Sequence, residues 1–347
     1  MVNKHLRAEV PETMADRFRD AVAPRTLALG LGVLLLQFGF ILSYLGAFHA
    51  PHPHRIPVAV VGAPQVAGQA AQRINAIPGE PLAAVSAADE PSARQALTRG
   101  QIAGVYLIDP TSNADRLLVA SGGGTSLSTA VQTVVQTAAQ QQGRAVAVED
   151  LVPLNPGDGR GLSGFYLVIG WAVGGYLFAA MLGVAKGSRP ANLARAVWRL
   201  GATVPYALLS GLGGAAIAES VLGALAGHFW PVAGIGVLVT LSAATVTMAL
   251  QTLFGPVGIG LTVVIFVILG NPSAGGAYQS ALLPPFWAAL SPVLPNGAGT
   301  EAVRRIVYFG GHDVAQPIAV LVAWIVGGTL LALIASARAQ RARRRTG

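Results

Sequence analysis

The residue types that do phosphate chemistry are scarce in this chain. A Walker-type ATP site needs a glycine-rich loop running into lysine, G-x-x-x-x-G-K-[ST], so that backbone amides and an ammonium group hold the phosphates. There are only two lysines: Lys4 follows Asn3, and Lys186 stands between Ala185 and Gly187, so neither fits. Any ATP-driven cycle must therefore draw on another subunit. The chain has no cysteine, which removes thiol nucleophiles, disulfides, Cys-ligated zinc and iron–sulfur clusters together. No serine lies in G-x-S-x-G, no H-E-x-x-H is present and no paired carboxylates stand out. The expectation is a protein that is not an enzyme and needs no cofactor.

Four groups remain that could bind or gate. Gly122-Gly123-Gly124-Thr125-Ser126 precedes a predicted helix, a geometry in which backbone N–H groups can cradle an anion. With no lysine beside it, a plain turn with a Thr or Ser cap is the favoured reading. His49, His52 and His54 in HAPHPH offer three imidazoles for zinc or copper. The intervening prolines impose an extended chain and no carboxylate is near, so a stiff solvated connection is favoured. Glu219 interrupts an otherwise apolar run, and a carboxylate in a membrane helix is costly and therefore a functional candidate. It is expected near the pathway, paired with Arg304 or Arg305, or at the interface. Arg304 and Arg305 follow Glu301, either on an amphipathic helix facing lipid headgroups or at the mouth of a lateral opening.

The elements that must carry these residues are mostly apolar. Of 347 residues, 53% are hydrophobic and only 11% charged, with a mean hydropathy of +0.56. A soluble domain carries about 25% charged residues. Charge-free runs at Leu27–Phe48, Leu162–Ala185, Leu200–Ala218, Trp230–Phe254, Val257–Gly270 and Val314–Ala337 predict six transmembrane helices. The first is too long for a signal peptide and lacks a clean cleavage site, so it reads as a retained anchor. Gly255-Pro256 separates the fourth from the fifth. Pairs such as Gly170/Gly174 and Gly223/Gly227 have the spacing of close helix contacts, and are weak pointers to a dimer.

Charge sets the orientation. Residues 1–26, Lys186–Arg199 and the tail 338–347 hold 14 of the 23 basic residues, which predicts both termini on the cytoplasmic side. An arginine-rich tail after a membrane helix serves orientation and anionic lipid, so nucleic acid is not expected. Residues 49–161 hold 7 arginines and 8 acids and read as a folded extracytoplasmic α/β domain between helices one and two. Arg55–Val61 and Ala103–Asp109 are apolar on both faces, as covered strands are. Helices are predicted at Val66–Ile77, Pro91–Arg99 and Ser126–Gln142, the last two closed by Gly100 and Gly143. Met14, Phe18 and Val22 predict an interfacial helix, and Ser188–Leu200 a short cytoplasmic helix capped by Ser188. Residues 162–337 form the five-helix membrane unit.

This layout resembles ABC-2 type transporter permeases of the YhgE/Pip or DUF3533-like branch. The resemblance lies in SARQALTRGQIAGVYLIDP (Ser92–Pro110), and in LFGPVGIGLTVVIFVILGNPSAGG (Leu253–Gly276) with the Pro-rich stretch Leu282–Gly311. It implies an exporter subunit in the bacterial cell membrane, as a homodimer or paired with a similar permease. Such a subunit moves an apolar or amphipathic substrate with a separate cytoplasmic ATPase. By position, Lys186–Arg199 matches the coupling helix, so Arg195, Trp198 and Arg199 would dock the ATPase. Met14–Val22 likewise matches the elbow helix. Two alternatives stand beside this: a non-transporting envelope protein whose external domain binds a partner, and a transporter driven by an ion gradient through Glu219.

Overall fold

The computed structural model describes Met14, residues 24–190 and residues 192–346. The predicted elbow helix therefore lies outside the described residues apart from Met14. The chain folds as a bundle of long apolar helices joined to a small α/β sheet, as the sequence predicts.

Helix α1 (Pro24–Phe48) leads into the sheet unit. Its order is β1 (Ile56–Val61), α2 (Pro64–Asn75), β2 (Leu82–Ser86), α3 (Glu90–Thr98), β3 (Gly104–Leu107), β4 (Ala114–Val119), α4 (Thr125–Gln140) and β5 (Ala145–Asp150). The strands lie side by side as β2-β1-β3-β4-β5, with only the β3–β4 pair antiparallel. Strands β2, β4 and β5 had no explicit bounds in the sequence reading, because their apolar residues are broken by alanine or charge. Alternation along β1 divides the core in two. Ile56, Val58 and Val60 face α2 and α4, while Ala59 faces α3. On α2 the buried stripe is Ala67, Ala70, Ala71 and Ile74, and the expected contact residue Val66 is exposed. The free edge of β2 is satisfied by a side chain: Asn75 donates to the Ala84 carbonyl at 2.8 Å and accepts its N–H at 2.7 Å.

One ion pair anchors the β4 end of the sheet. Asp115 is fully buried and accepts from Tyr106 Oη at 2.5 Å, from Arg144 at 2.5 and 2.6 Å, and from the Asp109 N–H at 2.9 Å. Burial pushes this carboxyl up, but the hydrogen bonds from Arg144, Tyr106 and Asp109 outweigh it and hold the group below the usual aspartate range. Burial and the neighbouring Asp115 raise the Tyr106 hydroxyl.

The helical half contains α5 (Ser163–Lys186), α6 (Leu193–Ala216, running into a π turn Ile217–Val221), α7 (Phe229–Phe254), α8 (Val257–Val263), α9 (Gly270–Ser273), α10 (Pro285–Leu290), α11 (Pro295–Tyr308) and α12 (Ala315–Thr346). Among the described residues, five segments are long and apolar enough to cross a membrane: Thr26–Phe48, Ser163–Ala185, Leu193–Val221, Phe229–Phe254 and Ala315–Ala342. The sixth expected crossing is the shorter Val257–Ser273, broken by a π turn at Val264–Leu269. Pro272 lacks the N–H that would bond the Ile268 carbonyl four residues earlier, and widening the helix relieves the clash. Within this π turn the Phe266 carbonyl accepts from Asn296 Nδ2 at 3.0 Å. The predicted separate tail is no separate element, since α12 continues through Thr346.

Helix α7 is the axis of the bundle, buried by α5, α6, α11 and α12 on its sides. Between lipid-facing helices there is little hydrophobic gain, so close backbone approach must hold them together. Glycines supply it. A Cβ at Gly211 of α6 would overlap Ala233 and Val237, and one at Gly175 of α5 would strike the Thr240 carbonyl. Gly328 of α12 lies equally close to Thr245. The pairs singled out in the sequence are not these. Gly170 meets nothing, though Gly174 lies close to Tyr206 Oη of α6, and Gly223 and Gly227 sit in the loop before α7 with positive φ.

Replacing Asp115 by Asn should destabilise the sheet unit by on the order of 3 kcal/mol, because it strands Arg144. The folded carboxyl titrates below its unfolded value. Its stabilisation is therefore complete above the ordinary aspartate pKa and disappears only as the pH falls through the depressed folded value. Hydrogen exchange across residues 55–150 should show faster exchange in Asp115→Asn at neutral pH, with wild type converging on the variant only in strong acid.

Candidate functional site

The two halves meet along a junction built mostly from backbone and aromatic rings. The extended HAPHPH segment pairs with the chain before α10: His52 N–H donates to the Leu282 carbonyl at 3.2 Å and His54 N–H to Ala281 at 2.9 Å. His49 Nδ1 lies 2.9 Å from the Leu45 carbonyl of its own helix. Among the described residues no group of three His, Cys, Asp or Glu side chains could hold a metal. Through these backbone bonds the histidine run ties the link between α1 and β1 to the chain before α10.

The glycine loop has a different use from an anion cradle. Gly122 lies flat against Tyr308, Gly123 faces Phe309, and Gly124, at φ +128°, packs on the Gln279 amide. At the N-terminus of α4, the Leu127 N–H donates to Gln279 Oε1 at 3.1 Å, and Ser126 Oγ donates to the Ala277 carbonyl at 2.8 Å. The orphan amide an anion would seek is thus occupied from the helical half. Nearby, Tyr308 Oη donates to Asp158 at 2.5 Å, while the other Asp158 oxygen accepts the Ser163 N–H at 2.8 Å and so caps α5. Asp158 is almost fully buried. Burial and this carboxylate push the Tyr308 hydroxyl above its ordinary range.

Between the sheet and the helices lies a cavity of about 530 Å³. Ile56, Ile102, Leu127 and Phe309 contribute apolar surface from the sheet side and α11's end, and Glu301, Arg304 and Arg305 of α11 contribute charge. Positions i, i+3 and i+4 place the three on one helix face. Glu301 accepts from Arg304 at 2.8 Å and Arg305 at 2.7 Å; Arg304 also donates to the Gly275 carbonyl at 2.6 Å, and Arg305 to His312 at 3.2 Å. The arginine side chains are only 10% and 19% exposed. Helix α11 is therefore no amphipathic surface helix: it packs against α5, α7 and α12 and turns its charges towards the sheet. An apolar pocket with a compact charged patch suits a molecule with an apolar body and a polar head. It offers no nucleophile–base pair.

Glu219 does not pair with Arg304 or Arg305. Its two oxygens accept the Gly227 N–H at 3.1 Å and the His228 N–H at 3.2 Å, where the chain enters α7. This closes the loop and sets negative charge at a helix N-terminus. Glu219 is not among the residues lining the cavity.

At the opposite end, the expected coupling helix is absent as a separate element. Asn192, not Ser188, caps the helix by accepting the Arg195 N–H at 2.8 Å, and α6 runs from Leu193 without a break into the apolar bundle. Arg195 is exposed and Trp198 is 80% exposed. Arg199, one turn after Arg195, turns inward to a small cavity near Gln251. The basic linker and α12 meet here: Arg189 donates to the Leu253 carbonyl at 3.1 Å, and Gln340 accepts the Leu193 N–H at 2.9 Å.

Sequence reasoning missed Asp158, Gln279, Tyr308 and Phe309. The only signal was an aromatic pair directly before Gly310-Gly311, which marks a helix end but not its partner. Comparison with family models, with curated proteins and with solved structures gives no match.

Tyr308→Phe should leave a buried carboxylate short of a donor and cost about 1–3 kcal/mol at the junction. Limited proteolysis should then cut the segment 151–162 faster than in wild type, while the sheet itself stays resistant.

Proposed function

We propose that this chain is the membrane subunit of an ABC-2 type exporter that moves an apolar or amphipathic substrate across the bacterial cell membrane. The observation that carries the reading is the junction cavity, large enough for a lipid-like or drug-sized molecule and lined by both apolar surface and the Glu301–Arg304–Arg305 patch. In this scheme the sheet lies outside the cell, and the basic end holding Arg189, Arg195 and the close of α12 lies in the cytoplasm. Val257–Ser273 completes a sixth, broken crossing, of the kind that lines substrate sites in transporters. Energy comes from a separate ATPase, since the sequence has no Walker loop of its own. Arg195 and Trp198 form the docking surface for it, exposed on the first turns of α6. Arg199 faces inward and leaves that surface. The subunit works as a homodimer or with a similar permease.

One observation favours a second reading, an envelope protein that binds a partner through its sheet. A groove of about 630 Å³ runs between α2 and α4, floored by Tyr106 and lined by Ile74, Ile77 and Val134.

The test is mild detergent extraction from native membranes followed by identification of what copurifies. The exporter reading expects a soluble P-loop ATPase in stoichiometric amount, lost in the double variant Arg195→Glu, Trp198→Ala and retained in Thr137→Arg, a change at an exposed residue lining the groove. Recovery of envelope proteins alone, sensitive to Thr137→Arg, would overturn it and favour the sheet as a binding module.

A further inference from the structure

The inward-facing Arg199 opens a question independent of the exporter reading. Its Nη2 is buried with no hydrogen-bond partner among the described residues, and so is Nε2 of Gln251, a residue only 2% exposed. Both side chains line one small cavity, closed by Gly183 of α5, Thr252 of α7, Ala332 of α12 and Ser188 of the linker before α6. Gly183 is required there, because a Cβ would come within 2.7 Å of Gln251 Nε2. None of the residues lining the cavity is acidic. The Thr252 hydroxyl is already committed, donating to the Met248 carbonyl at 2.7 Å.

An unpaired guanidinium nitrogen held away from water costs several kcal/mol, and a second stranded donor adds to it. Arg199 as a residue is only partly buried, but its Nη2 is fully so. A water in the cavity would accept from both stranded nitrogens; a small anion does the same and also balances the guanidinium charge. The space open to the centre of a water-sized species is about 10 Å³, which suits a single-atom anion better than a phosphate ester with its four oxygens.

We propose that this cavity is a halide site, in which one chloride-sized anion bridges Arg199 Nη2 and Gln251 Nε2, with the Ser188 hydroxyl as a third donor. Bound there, the anion ties the linker between α5 and α6 to the central helix α7. The position of the exposed Arg195, one turn earlier on α6, and of Trp198, directly before Arg199, then depends on the ion. The site needs neither a substrate nor a partner subunit to exist.

The test is thermal unfolding of the purified full chain in lipid nanodiscs, followed by intrinsic tryptophan fluorescence at constant ionic strength. Chloride or bromide replacing gluconate should raise the unfolding temperature saturably, by about 2–4 °C at saturation. Arg199→Met and Gln251→Leu should abolish the response. Gln251→Glu guards against misfolded variants, because it supplies an internal carboxylate to Arg199. It should unfold in gluconate where wild type unfolds in chloride, and ignore added halide. Bromide should also give an anomalous peak between α5, α6, α7 and α12. Equal unfolding temperatures of wild type in gluconate and chloride would overturn the proposal. So would a halide response that survives in Gln251→Glu. A response to phosphatidylglycerol in the nanodisc but not to halide would overturn it in favour of a lipid phosphate.

Discussion

The sheet cannot close its own core, and much else in the molecule follows from that. A largely parallel sheet must be covered on both faces, yet here helices α2 and α4 cover one face and the short α3 only part of the other. Leu282, from the segment before α10, completes the first core, and Phe309, from the end of α11, completes the second. Each face therefore takes a large apolar side chain from the helical half, and each of the two side chains is nearly fully buried. Separating the halves would expose both cores at once, at a cost of about 1.5–3 kcal/mol per side chain.

The same constraint explains the glycine loop and the placement of charge. Tyr308 and Phe309 can reach the sheet only if the backbone they meet has no side chains, which is what Gly122 and Gly123 provide. With the aromatic end of α11 pinned, the preceding turn must lie beneath the sheet, and Glu301, Arg304 and Arg305 come with it. The two arginines are tolerated at low exposure because each finds Glu301 and a neighbouring carbonyl, while the more exposed Glu301 accepts from both. The cavity is the space left between a flat sheet and a bundle joined at a few points. Its apolar and charged walls follow from which element supplies each one.

Much of this architecture was legible in the sequence and some was not, for physical reasons. Long apolar runs and their flanking arginines gave the five long helices to within a few residues at most ends, because burial in hydrocarbon demands length and charge exclusion. The start of α6 was misread: Pro190 and Ser188 resemble a helix entry, but Asn192 takes the capping role, so the coupling segment merges with the bundle helix. The charges of α11 left two readings open, a headgroup-facing helix or the mouth of an opening, since one acid and two arginines on one face look the same whether they meet water or a neighbouring domain. Glu219 looked like a lone membrane carboxylate because its partners are backbone amides eight and nine residues on, which leave no mark in the sequence. Local spacing records how an element is covered, not what covers it.

The two ends of the bundle differ in the charge of what is left unpaired. Near the sheet, Asp158 serves Tyr308 and the α5 terminus and Glu301 serves two arginines, and the buried atoms without a partner among the described residues, Thr125 Oγ1 and Asn296 Oδ1, are neutral. At the basic end, Arg199 and Gln251 each keep a buried donor unpaired. A fully bonded network resists rearrangement, because moving one member strands the others. An end with unspent donors lacks that restraint, so its geometry is fixed by whatever fills the gap. At the basic end the stranded group is a charged guanidinium, so the geometry of the linker between α5 and α6, and of the surface carrying Arg195 and Trp198 beside it, depends most on what fills the gap.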